Sequence, residues 1–91
     1  MLNKFKIAET DAFVSKLTDQ RYSKIYKKVS EFVYPQLREN PFFGSNIKKL
    51  KGDFEGLYRY RVGKYRIFYK IENDKILVII LDIEDRKDAY R

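Results

Sequence analysis

The chain has 91 residues, 44% hydrophobic and 16% aromatic, which is enough for one compact core and too few for two domains. It contains no cysteine and no histidine, which excludes disulfides, thiolate nucleophiles, the usual metal ligands and the usual general base at neutral pH. Twenty Lys and Arg against thirteen Asp and Glu leave a net charge of +7, no apolar run is long enough to span a bilayer, and Met1-Leu2-Asn3-Lys4 is not a signal-peptide start, so a cytoplasmic protein with an anionic partner is expected.

Leu2 to Ala8 alternates, with Leu2, Lys4 and Lys6 on one side and Phe5 and Ile7 on the other, which predicts a short first strand. Glu9-Thr10 then starts a helix, with Asp11 complementing the dipole in its first turn and Ala12, Phe13, Val14 and Leu17 as its buried stripe. Thr18-Asp19-Gln20 breaks it. Tyr22, Ile25, Tyr26, Val29, Phe32 and Val33 recur at i, i+3, i+4, i+7, i+10 and i+11, the apolar face of a second, longer helix. Lys24, Lys27, Lys28 and Glu31 fall mostly on its other face. Pro35 has no N–H and disfavours α geometry at Tyr34, so a kink or a fresh turn is expected there, and Asn40-Pro41 ends the helical half. Residues 42–56 read as loop. From Leu57 the pattern is β, and the turn signals Gly63-Lys64 and Asn73-Asp74 divide it into strands at about 57–62, 65–72 and 75–83. The expected fold is a single α+β domain over 1–91, ordered β-α-α-β-β-β. An N-terminal strand and a two-helix hairpin pack on an antiparallel sheet of about four strands, with a short C-terminal turn or helix.

The charge is concentrated. Residues 48–70 hold eight basic and two acidic groups, a balance of +6, whereas residues 1–47 carry +3 and residues 71–91 carry −2. A solvated lysine-rich surface is the plainest account of a basic chain, but clustering on one segment favours a nucleic acid. If Gly63-Lys64 is a two-residue loop, Val62 faces Tyr65, Arg61 faces Arg66 and Arg59 faces Phe68. One face of the hairpin then carries Tyr58, Tyr60, Ile67, Tyr69 and Ile71, and the other Arg59, Arg61, Arg66, Phe68 and Lys70. Like charges directly opposed on a sheet are destabilising. Two arginines held so make sense if they grip an anion bidentately; the alternative is that both splay into water. Lys75 to Ile83 is apolar on both sides, as expected of an interior strand covered on both faces, which puts Leu77, Ile79 and Leu81 on the arginine face in need of cover. Arg86 and Tyr90 are four apart, so a helical turn sets them side by side.

Asn40-Pro41, Gly44, Ile47 to Gly52, Leu57 to Tyr69 and the ending Asp85-Arg86-Lys87-Asp88-Ala89-Tyr90-Arg91 together resemble the pattern of the RelE toxins. The resemblance implies a type II toxin–antitoxin toxin of the RelE/ParE superfamily, a ribosome-dependent mRNA endonuclease acting in the A site. Its chemistry would be attack of a 2′-hydroxyl on the adjacent phosphate. The resemblance further implies Arg59, Arg61, Arg66, Arg86 and Tyr90 as catalytic residues, with a cognate antitoxin and the ribosome with its mRNA as partners. Lys48, Lys49, Lys51, Lys64, Phe68 and Lys70 are then expected to meet RNA, and Leu77, Ile79 and Leu81 the antitoxin. No cofactor, metal or membrane is expected. The chain departs from the best-known RelE pattern in carrying arginine rather than lysine at 59 and 61, Asp85 where histidine is frequent, and Glu84 where glycine is common. Arginine stabilises charge but does not act as a base. A base would be Lys64, Lys51, Tyr90, Glu84, Asp85 or a group on the ribosome, so charge stabilisation and alignment rank above acid–base catalysis. The alternatives are a ParE-type toxin that blocks DNA gyrase, a non-catalytic RNA-binding member of the same fold, and a small basic structural protein, against which the opposed arginines speak.

Overall fold

The computed structural model describes residues 4–86. Strand β1 (Lys6–Glu9) leads into helix α1 (Asp11–Lys16) through Thr10. The Thr10 Oγ accepts the Phe13 N–H at 3.2 Å and donates to the Leu81 carbonyl at 3.2 Å, so one side chain starts the helix and ties it to the last strand. Of the predicted stripe only Phe13 is fully buried; Leu17 is half-buried, and Ala12 and Val14 face outward. A helix of six residues presents too few turns to bury a full stripe.

Helix α2 (Gln20–Lys28) is capped by Asp19, whose Oδ1 accepts the Arg21 N–H at 2.8 Å. A π-helical turn (Val29–Val33) joins it to α3 (Tyr34–Glu39), with the Tyr34 N–H reaching back five residues to the Val29 carbonyl. Pro35 sits in the first turn of α3 and cannot donate to any upstream carbonyl, so the ladder widens ahead of it instead of breaking. The wider turn moves the buried positions from the predicted Val29, Phe32 and Val33 to Val29, Val33, Tyr34 and Leu37. Phe32 leaves the core and is 65% exposed.

The sheet has five strands in the order β1-β5-β4-β3-β2, with β2 (Ile47–Lys49), β3 (Tyr58–Val62), β4 (Tyr65–Glu72) and β5 (Leu77–Asp85). Two features differ from the expected antiparallel sheet of about four strands. Three residues of the supposed loop pair with β3 as an edge strand too short to show a period. Strand β1 runs parallel to β5, packing the half-buried Ile7 beside Val78; its long connection leaves strand direction unconstrained by alternation. Register along the β3–β4 hairpin is as expected: Arg61 opposes Arg66, Arg59 opposes Phe68, and Tyr58 opposes Tyr69. Gly63 has φ +59°, which the first position of this tight loop requires. The second turn is longer than its dipeptide suggests. Asn73–Lys75 form a 3₁₀ turn, Ile76 takes φ +52°, and β5 starts at Leu77 and runs to Asp85.

The helices cover one face. Phe13, Tyr22, Val29, Val33, Tyr34 and Leu37 bury against Tyr60, Val62, Ile67, Tyr69, Val78, Ile80 and Ile83. Burial of each such side chain contributes roughly 1.5–3 kcal/mol. The tyrosine hydroxyls inside this core are satisfied. Tyr60 donates to Gln36 Oε1 and Tyr69 to the Pro41 carbonyl, both at 2.7 Å.

A β-bulge divides β5. Phe68 pairs with Asp82 but Tyr69 with Ile80, so Leu81 has no partner on β4. Before the bulge, Leu77 and Ile79 share the arginine face with Glu72 and Lys70. After it, Asp82 and Glu84 take that face while Ile83 and Asp85 turn to the core. Strand β5 is interior, as expected, but its second face is only half covered: Leu77, Ile79 and Leu81 are each half-buried. Among the described residues no helix is long and apolar enough to cross a membrane.

Candidate functional site

The arginine face is built in rows across the sheet. One row runs Lys48, Arg59, Phe68, Asp82 and the next runs Arg61, Arg66, Glu84. The two arginines of the second row have different fates. Arg61 is exposed, whereas Arg66 is only 5% exposed. The fold holds Arg66 rather than letting it splay into water. Its Nη1 donates to the carbonyls of Gly63 at 3.2 Å and Tyr65 at 2.9 Å, so its own hairpin fixes the guanidinium. Its Nε is buried and meets no acceptor, and the same is true of Arg59 Nε. The guanidinium groups of Arg59, Arg61 and Arg66 thus share one cationic face, and a fixed, unneutralised guanidinium is matched by an anion.

At this end of the hairpin lies a groove of about 460 Å³. Arg61, Gly63, Arg66 and Arg86 line it from the sheet, and Lys28, Phe32 and Val33 from the helix layer. Arg86 is exposed and anchored through its own N–H, which donates to the Lys64 carbonyl at 2.7 Å. Tyr90, expected beside it, lies outside the described residues.

The acidic residues that could quench these cations are held elsewhere. Lys16, at the end of α1, reaches over the part of β5 that β1 leaves unpaired. Its Nζ lies 2.6 Å from Glu84 Oε1, 3.0 Å from Asp82 Oδ1 and 2.8 Å from the Ile83 carbonyl. Burial lowers the Lys16 pKa, but its bonds to Glu84 and Asp82 outweigh that and leave it above the ordinary lysine value. Asp85 is buried on the helix side opposite Tyr65, its N–H directed at the Tyr22 hydroxyl and its carboxylate 3.7 Å from Lys64 Nζ.

The remaining expected RNA contacts are scattered. Lys48 stands on the arginine face opposite Arg59, and Phe68 is half-buried there. Lys49 pairs with Tyr58 and so alternates to the helix side. Lys51 is exposed ahead of the 3₁₀ turn Gly52–Phe54, and Lys64 is exposed in the hairpin loop. Lys70 lies on the arginine face with its Nζ 3.8 Å from Glu72. Sequence reasoning missed Lys16, Lys28 and Phe32. Pro35 is the one local signal that could have exposed Phe32. Among the described residues no group of three or more His, Cys, Asp or Glu could hold a metal ion.

The chain is similar to known toxins. Residues 7–90 match the family model described as ParE toxin of type II toxin-antitoxin system, parDE. The chain is 32% identical over 68 residues to the toxin RelG of Mycobacterium tuberculosis, covering 75% of this chain and 76% of that one. It is 38% identical over 68 residues to the toxin RelE of the same organism, covering 75% and 68%. Its fold superposes on a chain of the Mycobacterium tuberculosis toxin-antitoxin complex RelBE2 with TM-score 0.79 at 24% identity, covering 94% of this chain and 95% of that chain. It superposes on the YoeB/ParE toxin from Agrobacterium tumefaciens with TM-score 0.72 at 16% identity, covering 89% and 98%.

Proposed function

This chain belongs to the ParE toxin family of type II toxin–antitoxin systems, and on that premise we propose that it is a ribosome-dependent mRNA endonuclease of the RelE type. One observation carries this reading. Arg66 is enclosed by the fold, opposed to Arg61, and retains a buried Nε donor that no protein group satisfies. A phosphate held at Arg66 and Arg61 together meets their charge.

In this mechanism mRNA in the ribosomal A site lays one phosphate against Arg61, Arg66 and Arg86, with Arg59 and Lys48 in the adjoining row. The 2′-oxygen attacks the phosphorus in line. The new P–O2′ bond forms as the P–O5′ bond breaks; the 2′-hydroxyl gives up a proton, the departing 5′-oxygen takes one, and a 2′,3′-cyclic phosphate remains. The arginines stabilise charge on the non-bridging oxygens and hold the attack geometry. Glu84 is engaged by Lys16 and Asp85 lies on the helix side, so neither carboxylate serves as base in the groove. Alignment and charge stabilisation carry the rate. A cognate antitoxin, such as the one complexed in RelBE2, silences the toxin in the cytoplasm. It covers Leu77, Ile79 and Leu81 with apolar side chains and the arginines with acidic ones.

The family model favours a second reading, a toxin that inhibits DNA gyrase and leaves mRNA intact. One experiment separates the two. The chain is expressed with and without its antitoxin, and mRNA 5′ ends are mapped on translating ribosomes. Codon-phased cuts are expected, falling by about two orders of magnitude or more in Arg61→Ala and Arg66→Ala. Intact mRNA with blocked gyrase supercoiling would establish the second reading instead.

A further inference from the structure

The groove beside the arginines has a feature that phosphate binding does not use. Phe32 is 65% exposed at its wall, although the helical period assigns it to the core. The π-helical turn Val29–Val33 put it there, and such turns cluster at functional sites. Phe43 and Phe54 are exposed as well, but among these rings only Phe32 lines the groove, and no ring stacks on it among the described residues. Lys28 precedes it by four residues on the same wall, and Arg61, Arg66 and Arg86 line the other. The described lining residues include no carboxylate. The volume of about 460 Å³ lies in the range of small-molecule sites.

We propose that Phe32 is the base platform of a nucleotide subsite: an RNA base stacks on its ring while the attached phosphate meets the arginines opposite. An apolar ring facing three arginines, with Lys28 beside it, fits a nucleotide, which carries a π-face and an anion on one unit. It fits an apolar protein segment less well, because that segment would strand the cations. Stacking is indifferent to base identity, so Phe32 supplies affinity and register and leaves sequence choice to other contacts. The subsite rests on the endonuclease reading but adds a residue from the helix layer to a site otherwise made by the sheet.

The test uses the full chain and a short single-stranded RNA carrying 2-aminopurine at one position at a time, titrated at several salt concentrations. Binding should quench the fluorescence at one position. Phe32→Ala should abolish that quench and weaken binding about tenfold, with the slope of affinity against salt unchanged because no charge is removed. Phe32→Trp should restore both, and since the ring is exposed the melting temperature should not move. Arg61→Ala, in contrast, should flatten the salt slope. A Phe32→Ala protein that keeps affinity and quench while Arg61→Ala loses binding would overturn the subsite and leave the endonuclease reading standing. Unaltered RNA binding with weakened antitoxin capture would also overturn it, assigning the ring to the protein partner. Wild-type chain that binds no RNA at any salt concentration would overturn the subsite, whereas the endonuclease reading stands or falls on the mRNA ends mapped on ribosomes.

Discussion

At the scale of single residues, the site depends on where its acids are kept. Glu84 is the β5 register partner of Arg66, so alternation alone would set a carboxylate next to the buried guanidinium. Lys16 prevents this by holding Glu84 at 2.6 Å. Replacing Lys16 with Met should free that carboxylate to turn toward Arg66 and Arg61. RNA affinity is expected to fall several-fold, and stability by about 1 kcal/mol from the lost charged hydrogen bonds. Adding Glu84→Gln should recover the affinity without recovering the stability. Equilibrium binding and urea unfolding measured on the same two variants check this. An affinity loss that Glu84→Gln does not repair would mean that Lys16 acts only as a structural tie.

At the scale of elements, Glu9 ties β1 to the helix layer. Its Oε2 accepts the Tyr26 hydroxyl at 2.6 Å and the Tyr34 hydroxyl at 2.7 Å, joining the edge strand to α2 and α3 across the core. Burial, then the bond to Glu9 and its charge, push the Tyr26 hydroxyl up to about 12, and the same causes push Tyr34 up further. The unfolded chain loses these protons near pH 10, whereas the native chain retains them. Stability from this pair is therefore complete below about pH 10 and falls as pH rises from there through about 12. Chemical denaturation between pH 8 and pH 12 should follow that decline, and Tyr26→Phe should make it shallower. A Tyr26→Phe profile parallel to wild type would separate the tyrosine from the linkage.

At the scale of the whole molecule, the net charge of +7 becomes a directed field because the hairpin gathers it. Arg59, Arg61, Phe68 and Lys70 share one face of one sheet with Lys48, while the helices occupy the other. Each phosphate contact releases counterions, so RNA affinity should fall steeply with salt. The double change Arg59→Ala and Arg66→Ala should flatten the log–log slope by about two. A salt titration with an unchanged slope would place the RNA on another surface. The half-buried Leu77 and Ile79 lie on the same sheet face, with Leu81 at the bulge beside them, so the proposed antitoxin surface has apolar side chains next to the charge.

The hairpin was readable from the chain because its information is local. Glycine at a two-residue turn sets the register, and register with alternation sets which side chains share a face, so Arg61 opposite Arg66 followed from the sequence alone. The α+β order, the Thr10 start and the concentration of charge were readable for the same reason. Strand β2 and the parallel pairing of β1 were not, since three residues show no period and a long connection leaves strand direction open. The burial of Arg66, the exposure of Phe32 and the capture of Glu84 by Lys16 were decided only in three dimensions. Each depends on a departure from ideal geometry or on groups far apart in the chain: a π-turn ahead of Pro35, a bulge at Leu81, and a lysine 68 residues from its carboxylate. Local pattern determined which face carries the charge. Long-range packing determined which of those charges are held rigid and which acids are kept away from them.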